Sequence, residues 1–219
     1  MRAFADAGPP RVGQARGVTK VAVDVDKRAW HPSLLPGQIV LVSTVDEEGR
    51  PNVAAKSWVT LAAFRGPIVA FGCTERHRTF RNAEATGEFV VNVVPEALAP
   101  EAWELMRWHG EERIRHSTLA LERATRVAPP LVAECTAHLE CVLDDVKRYG
   151  EEAFVFGRAV AVSIDAECLD GPPAERYARL APAFFLEEGL YAGLGAVASR
   201  HALPVRRLPV RARPARAGS

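Results

Sequence analysis

The chain has 219 residues, of which 48% are apolar and 25% are charged, and its formal net charge is +1. This length predicts one domain, and the apolar share is enough for a sizeable core. A charge this close to zero gives no electrostatic reason to expect nucleic acid as a partner.

The two ends of the chain differ from its middle in composition. Residues 1–17 are rich in Gly, Pro, Ala and Arg, and residues 204–219 are rich in Arg, Pro and Ala. We predict a flexible N-terminal arm and a flexible tail there, with a domain over residues 18–203 between them. No signal peptide is recognisable, and the apolar stretch Leu190–Ala198 is too short to span a bilayer. The sequence therefore predicts a cytoplasmic protein without a membrane partner.

The predicted elements of the first half are mainly strands. They are a hairpin of Ile39–Thr44 and Pro51–Ser57, a continuation at Leu61–Phe64, a strand at Ile68–Cys73, a helix at Arg78–Thr86 with Gly87 as its stop, and a strand at Phe89–Val94. Turn residues from Asp46 to Gly49 separate the first two strands, which predicts that these strands pair with each other.

The second half contains two long strands and several helical segments. We predict a helix at Pro95–His109, a mostly irregular stretch at Glu111–Pro130 with one short helix around Leu119, strands at Cys135–Leu143 and Phe154–Ile164, a bulge at Gly157, a helix at Pro173–Leu180, and final strand residues at Phe184–Leu186 and Leu190–Leu194. Because strands and helices do not alternate, a doubly wound parallel sheet is disfavoured. A mainly antiparallel barrel of the α+β class, with helices outside it, is predicted instead.

Four cysteines, at positions 73, 135, 141 and 168, have no C-x-x-C spacing. No metal site is therefore predicted, and the thiols are expected to stay reduced. Cys135 and Cys141 share one face of their predicted strand, and Thr136, His138 and Glu140 share the opposite, outward face.

A first cluster of side chains suited to chemistry lies at the end of the hairpin, in Lys56, Ser57, Trp58, Val59 and Thr60. Successive side chains on a strand point to opposite faces, and backbone groups at a sheet edge can serve a ligand from either side. A polar strand end with Trp58 partly in the core is the alternative explanation. This segment alone does not establish a binding site.

A second cluster surrounds the start of the helix that follows Cys73 and Thr74. It comprises Arg76, His77, Arg78, Thr79 and Asn82. Thr79 is suited to cap the helix, with Asn82 three residues later as its partner. A helix N-terminus has free N–H groups and a partial positive charge, so these cations predict an anion site that fits a phosphate. An ordinary capped helix with a solvated basic face is the alternative.

A phosphate would not be enough to hold a ligand. Three charge-assisted hydrogen bonds contribute about 1.5–3 kcal/mol each, and association costs about 4–15 kcal/mol. Micromolar affinity needs about −8 kcal/mol, so a large flat ring must also be buried. Trp58, Phe71 and Phe80 are the candidate neighbours of such a ring.

Together these segments resemble the flavin reductase-like, FMN-binding split-barrel family. Residues 39–54 resemble the family's opening hairpin, 56–60 its flavin-contacting strand, 72–82 its phosphate loop and helix, and 86–92 the strand that follows. The resemblance covers about residues 35–165 and is dense from 39 to 94. It implies a six-stranded barrel, a homodimer, and non-covalent FMN near the dimer interface.

The resemblance also implies which residues contact the cofactor. Ser57 and Thr60 would contact the phosphate or ribityl chain, and the segment from Trp58 to Thr60 would meet the ring. Arg78, Thr79 and Asn82 would hold the phosphate end, and Cys73 and His77 would line the pocket. The full set of implied cofactor-binding residues is Lys56, Ser57, Trp58, Val59, Thr60, Cys73, Thr74, His77, Arg78, Thr79 and Asn82.

Motifs of several other enzyme classes are not found. The sequence has no G-x-S-x-G, no P-loop and no G-x-G-x-x-G. His109 and His116 fit no common helical face and are expected at the surface. A nicotinamide nucleotide, if used, must therefore dock transiently over the flavin.

The function implied by the resemblance is NAD(P)H-dependent flavin reduction. NADH or NADPH would pass a hydride to the flavin N5, and no side chain is assigned a catalytic role. An oxygenase that uses the reduced flavin is a further partner that the resemblance implies. Two alternatives stay open: a flavoredoxin-like electron carrier with a protein redox partner, and a barrel that has lost flavin and binds another ligand such as haem.

Overall fold

The computed structural model of the chain describes residues 21–30 and 32–195. These residues divide into two compact units, which meet in sequence at Leu34 and Leu35. In the first unit a 3-10 helix covers Lys27–Ala29, and Trp30 Nε1 donates a hydrogen bond to the carbonyl oxygen of Asp24 at 3.0 Å. The arm predicted at residues 1–17 and the tail predicted at residues 204–219 lie outside the described residues.

The second unit carries twelve strands and four α-helices among its described residues. In chain order they are β1 (Gly37–Gln38), β2 (Val40–Val45), β3 (Pro51–Lys56), β4 (Val59–Ala63), β5 (Ile68–Thr74), α1 (Arg78–Thr86), β6 (Glu88–Val93), α2 (Ala99–Glu104), α3 (Glu111–Arg115), β7 (Leu121–Glu122), β8 (Leu131–Val132), β9 (Ala137–Tyr149), β10 (Glu152–Ile164), α4 (Pro173–Leu180), β11 (Phe184–Glu187) and β12 (Leu190–Ala192).

Seven strands form the main antiparallel sheet, in the order β3-β2-β6-β9-β10-β5-β4. A second sheet pairs β11 with both β1 and β12, and β7 pairs with β8. The mainly antiparallel split-barrel architecture with flanking helices is thus confirmed, but with seven strands in the main sheet where the resemblance implied six. The chain leaves β3 at Lys56, turns through Ser57 and Trp58, and returns as β4 along β5.

Strand β2 lies at the centre of the fold, and all six of its residues are buried. Val40 and Val42 pack into one apolar cluster, where Phe71 and Phe89 meet edge to face with ring centroids 5.1 Å apart. Leu41 points to the opposite side and packs in a second cluster with α2 and β3. The barrel therefore has one core inside the sheet and one between the sheet and its covering helices.

Several predicted elements are confirmed at or near their bounds. Helix α1 covers Arg78–Thr86 and ends at Gly87, which has φ of 72°. Helix α4 covers Pro173–Leu180, and the pairing of β10 with β9 shifts register between Phe156 and Gly157, as the predicted bulge requires. These features depend on local signals, such as caps, breakers and alternation.

The prediction of one continuous helix at Pro95–His109 was wrong. Two 3-10 segments, Glu96–Leu98 and Leu105–Arg107, flank the short helix α2. The helix predicted around Leu119 lies earlier, as α3, directly after Gly110. Tertiary packing decides these bounds. The buried residues of this stretch are Ala99 at the start of α2, Ala102 within it and Leu105 directly after it.

Two predictions about β9 were also wrong. Cys135 lies in a turn before the strand and packs in the second cluster, whereas Cys141 packs in the first. The face predicted to point outward is buried, with His138 9% and Glu140 3% exposed. The segment from β7 to β8 covers this face, and Glu140 accepts a hydrogen bond from Thr125 Oγ1 at 2.7 Å.

Candidate functional site

The two sequence clusters meet at an open cavity of about 800 Å³ in the second unit. One wall is the start of α1, and the other is the segment from Met106 to Arg113; the end of β3 lies between them. The lining residues are Ala54, Ala55, Lys56, Arg76, His77, Arg78, Thr79, Arg81, Met106, His109, Gly110, Glu111, Glu112 and Arg113. Ligand sites usually occupy about 300–1,000 Å³, so the cavity is of a suitable size for a nucleotide-like ligand.

The residues of the first predicted cluster do not all face the cavity. Lys56 lines the cavity, and Ser57 lines a neighbouring pocket. Val59 packs against the first core cluster, while Thr60 is exposed and pairs with Ala70. The structure therefore brings Lys56 and Ser57 to the cleft and directs Val59 away from it.

Trp58 lies beside the start of β4 and is 52% exposed. A Cβ atom added to Gly72 would lie 2.7 Å from the Trp58 ring, so the indole rests on the backbone of β5 at a position that only glycine permits. The other two candidate ring neighbours, Phe71 and Phe80, are buried in the first core cluster. That prediction was wrong for these two residues, because α1 and β5 turn them towards the barrel interior.

The second predicted cluster assembles on one side of the cavity. His77, Arg78 and Thr79 line it directly. Cys73 lies just behind, with its sulfur 3.8 Å from His77 Nδ1, and Thr74 accepts a backbone hydrogen bond from His77 at 2.9 Å. The turn after β5 thus holds His77 at the entrance to α1.

Asn82 does not reach the cavity, because a buried polar cluster holds it inside. Its Nδ2 donates to Thr44 Oγ1 at 3.2 Å. Asn52 Nδ2 lies 3.2 Å from both Thr44 Oγ1 and Thr79 Oγ1, and Asn52 Oδ1 has no hydrogen-bond partner among the described residues. Asn52, Thr44, Thr79 and Asn82 therefore brace the first turn of α1 from behind.

The predicted Thr79–Asn82 capping box is wrong. The N-cap residue of α1 is His77, and it makes no side-chain capping hydrogen bond. Thr79 is inside the helix and buried, with its hydroxyl engaged by Asn52. The first N–H groups of an uncapped helix remain available to an acceptor, so the start of α1 keeps its capacity to bind an anion.

Charges on the two walls interact across the cavity. Arg78 Nη2 lies 3.8 Å from Asp46 Oδ2 and 3.7 Å from Glu111 Oε1. Partial desolvation raises the pKa of Asp46, but hydrogen bonds from Arg50 and the charges of Arg50 and Arg78 outweigh it, so that pKa lies below its ordinary value. Asp46 is thus ionised at neutral pH, and a phosphate would compete with Asp46 and Glu111 for Arg78.

Desolvation acts on the groups beside α1. It lowers the pKa of His77, and the nearby charges of Lys56 and Arg113 lower it further. Desolvation raises the pKa of Cys73 despite the opposing charge of Lys56. His77 is therefore neutral and Cys73 is a thiol at neutral pH.

The wall from Met106 to Arg113 was not predicted from the sequence. His109 and His116 are both exposed, as predicted; His109 also lines the open cavity, and His116 stacks on Trp108 with ring centroids 3.8 Å apart. Arg113 Nε donates to the Leu105 carbonyl at 3.0 Å. The charged run after Gly110 was the available signal, but its sequence has no periodicity that would place it over β3.

A smaller apolar pocket of about 130 Å³ adjoins the cavity. The two share Ala55, Lys56 and Met106. The remaining walls include Trp103 and Phe185, which stack with ring centroids 5.9 Å apart. A cationic cavity beside α1 thus adjoins an apolar pocket beside the second sheet, an arrangement suited to a ligand with a phosphate and a flat ring.

Other kinds of site find little support in the described part of the chain. Within residues 21–30 and 32–195, no three side chains of His, Cys, Asp or Glu come together as a metal-binding group. Across the same residues, no helix is both long enough and apolar enough to cross a membrane.

The sheet order and flanking helices define a split-barrel protein. The family model for the flavin reductase like domain matches residues 33–181, and the chain therefore belongs to that family. A flavin reductase from Pseudomonas putida is 23% identical over 157 residues, which span 68% of this chain and 90% of the relative.

Solved structures support the same fold. Component B of nitrilotriacetate monooxygenase from Bacillus cereus superposes with a TM-score of 0.71 and 22% identity, covering 83% of this chain and all (100%) of the other. Flavoredoxin from Methanosarcina acetivorans superposes with a TM-score of 0.72 and 18% identity, covering 87% of this chain and 98% of the other. At these identities the similarity establishes the fold.

Proposed function

We propose that the chain binds FMN in this cleft and acts as an NAD(P)H-dependent flavin reductase. The observation that carries the proposal is that the cavity with the cations beside α1 adjoins the apolar pocket, since the two share Ala55, Lys56 and Met106. Membership of the flavin reductase-like family and the similarity to a flavin reductase support it. We assign this function to the domain predicted at residues 18–203, and the cleft lies within its second unit.

The phosphate end of FMN would lie at the start of α1. Arg78 would supply a guanidinium, and the first turn would supply N–H groups and partial positive charge. Thr79 would contribute through its backbone, because its hydroxyl is engaged by Asn52. Lys56 would lie between the phosphate and the ring, and the segment from Ser57 to Thr60 would border the ring.

When bound, FMN supplies a hydride acceptor at its N5 atom, and NADH or NADPH supplies the hydride. The residues of this chain orient the flavin and shield one face of it. Before FMN binds, His77 is neutral beside the cavity at neutral pH and can offer a hydrogen bond. No residue of the cavity is required to transfer a proton in this step, and we assign none as a catalytic residue.

The reductase activity is tested by mixing the purified protein with FMN and with NADH or NADPH, and by following nucleotide consumption. We expect turnover with at least one nucleotide and a flavin absorbance spectrum after reconstitution. Tight flavin binding without turnover of either nucleotide would contradict the reductase. A colourless protein that cannot be reconstituted with FMN would contradict the flavin site as well.

The phosphate assignment has its own test in the double variant Arg78→Ala, Thr79→Ala. Losing a charge-assisted contact of about 1.5–3 kcal/mol should weaken FMN about tenfold to 100-fold, and riboflavin much less. Arg107→Ala is the matched control, because Arg107 is exposed and lies outside the cavity. Equal weakening of FMN and riboflavin would show that the phosphate does not lie at α1.

A second candidate function, a flavoredoxin-like electron carrier, is favoured by the exposed edge of the main sheet. Strand β4 is that edge, and Leu61 and Phe64 beside it are 53% and 89% exposed. A carrier would retain FMN through gel filtration and be reduced slowly by nicotinamide nucleotides, whereas a reductase would be reduced rapidly. Rapid mixing of the FMN-loaded protein with NADH or NADPH, with the flavin absorbance followed over time, therefore separates the two functions.

The exposed edge also supports the proposed homodimer. Unpaired strand edges with large apolar side chains are usually covered by a partner. Light scattering should give twice the mass of one chain, and Leu61→Lys with Phe64→Lys should reduce it to one chain. A partner oxygenase that receives reduced flavin is proposed from the similarity to a monooxygenase component.

A further inference from the structure

Arg113 is a basic residue of the cavity whose charge is not balanced by a neighbour. Its Nε donates to the Leu105 carbonyl at 3.0 Å, and its Nη1 donates to the Val53 carbonyl at 3.3 Å. Both acceptors are neutral. Among the described residues, no carboxylate lies within 4.0 Å of its guanidinium, although Arg113 lines the cavity together with α1.

Two other arginines near this cavity differ in that respect, whereas Arg81, which also lines it, is exposed and has no carboxylate within 4.0 Å among the described residues. Arg78 lies 3.7 Å from Glu111, and Arg76 lies 3.8 Å from Glu151. Glu111 is also within 3.7 Å of Arg115, so its charge is shared among several cations. The negative charge of this wall is therefore directed towards Arg78 and Arg115 and leaves Arg113 without an anionic partner in the described part of the chain.

Burial makes this imbalance unfavourable. Desolvation lowers the pKa of Arg113, and no opposing interaction with an acid offsets that effect. Arg113 is half-buried, and a partly desolvated cation that lacks an anionic partner is unfavourable; an anion that enters the cavity would recover part of that cost. The hydrogen bonds to Leu105 and Val53 use Nε and Nη1, which leaves the two N–H donors of Nη2 for such an anion.

We propose that Arg113 is a specificity-determining residue that pairs with the phosphate dianion of the bound flavin nucleotide and makes the cavity prefer phosphorylated flavin. This inference rests on the proposed function, because it concerns the same cleft. Arg113 would complete, from the α3 wall, the phosphate site that α1 begins. A phosphate between the two walls would then be recognised by its charge as well as by the helix N-terminus.

The test compares dissociation constants for FMN and riboflavin, measured by flavin fluorescence, in the full-length protein and in Arg113→Gln. Glutamine keeps an N–H donor for the backbone carbonyls but removes the charge. We expect FMN affinity to fall about tenfold or more and riboflavin affinity to change less than twofold. Arg107→Gln is the matched control, since Arg107 is exposed on the same segment, and it should leave both constants unchanged.

Arg113→Lys provides the rescue and covers the case in which the glutamine variant does not fold. Lysine retains the charge, so the preference for FMN should stay within about threefold of that in the unaltered protein. A loss of preference in the lysine variant as large as in Arg113→Gln would overturn the proposed role of the charge. Equal weakening of both flavins in Arg113→Gln would also overturn it, since that result indicates support of the segment only.

The same experiment separates this inference from the proposed function. If the unaltered protein binds no FMN, both are overturned. If the Arg78→Ala, Thr79→Ala variant loses the preference for FMN and Arg113→Gln keeps it, the flavin site stands and the role of Arg113 is overturned.

Discussion

The two walls of the cavity are built in different ways. The α1 wall is backed by side chains that bond to one another, since Asn52 and Asn82 donate to Thr44 and Asn52 also donates to Thr79. The wall from Met106 to Arg113 has no such backing. Helix α3 buries none of its residues, and Arg113 attaches it to backbone carbonyls.

This difference separates two contributions to binding. The α1 wall has its polar side chains engaged before a ligand arrives, so it presents a fixed set of backbone donors. The α3 wall carries a desolvated charge that an anion would balance. One wall therefore determines where a phosphate would lie, and the other makes binding depend on its charge.

The largest expected effect is on the stability of the α1 wall. Asn52→Ala should lower the free energy of unfolding by about 2–3 kcal/mol, because buried Thr79 loses its donor and buried Thr44 loses one of its two donors. Urea denaturation measures this, with Arg107→Gln expected to change it by less than about 0.5 kcal/mol. Similar losses in both variants would show that the hydrogen bonds of Asn52 do not stabilise the α1 wall.

A smaller loss is expected at the turn that begins the α3 wall. Gly110 has φ of 56° and ψ of −131°, which is strained for any residue with a side chain. Gly110→Ala should cost about 1–2 kcal/mol in urea denaturation and should weaken FMN as the wall shifts. Gly195→Ala is the control, because a Cβ atom there meets nothing within 4 Å. An unchanged FMN affinity would indicate that the ligand does not contact this wall.

The smallest expected effect is the pH dependence of FMN affinity, which tests whether the two walls bind the same phosphate. Desolvation and the charges of Lys56, Arg113, Arg76 and His109 hold the pKa of His77 below its ordinary value of 6.5, and Cys73 faces it as a thiol. A bound phosphate would raise that pKa, so binding would take up a proton. FMN affinity should then increase by less than about tenfold as pH falls from about 8 to about 6.5, above the second phosphate pKa of about 6.

Riboflavin affinity should not change over the same range, because it carries no phosphate. His77→Gln should remove the pH dependence of FMN binding while leaving the binding itself. Isothermal titration in buffers of different ionisation enthalpy would measure the proton uptake directly. No uptake in the unaltered protein would place the phosphate away from His77.

Local signals in the sequence predicted much of this molecule. The stop at Gly87 and the polar start at Arg78 predicted α1, and alternation with a glycine predicted the bulged strand β10. The same signals failed at β9, where alternation predicted His138 to face outward. Alternation reports that a strand has two different faces, and it does not report that a later segment covers the polar one.

The sequence by itself determined the family, the mainly antiparallel barrel, and a basic helix start after β5. Tertiary structure decided which side chains of that region face the cavity: Lys56 and Arg78 do, whereas Asn82 turns inward to Thr44. It also brought the segment that carries Arg113 over β3, where Arg113 bonds to Val53, 60 positions earlier in the chain. Spacing along a chain determines which groups share an element, but only packing determines which elements share a cavity.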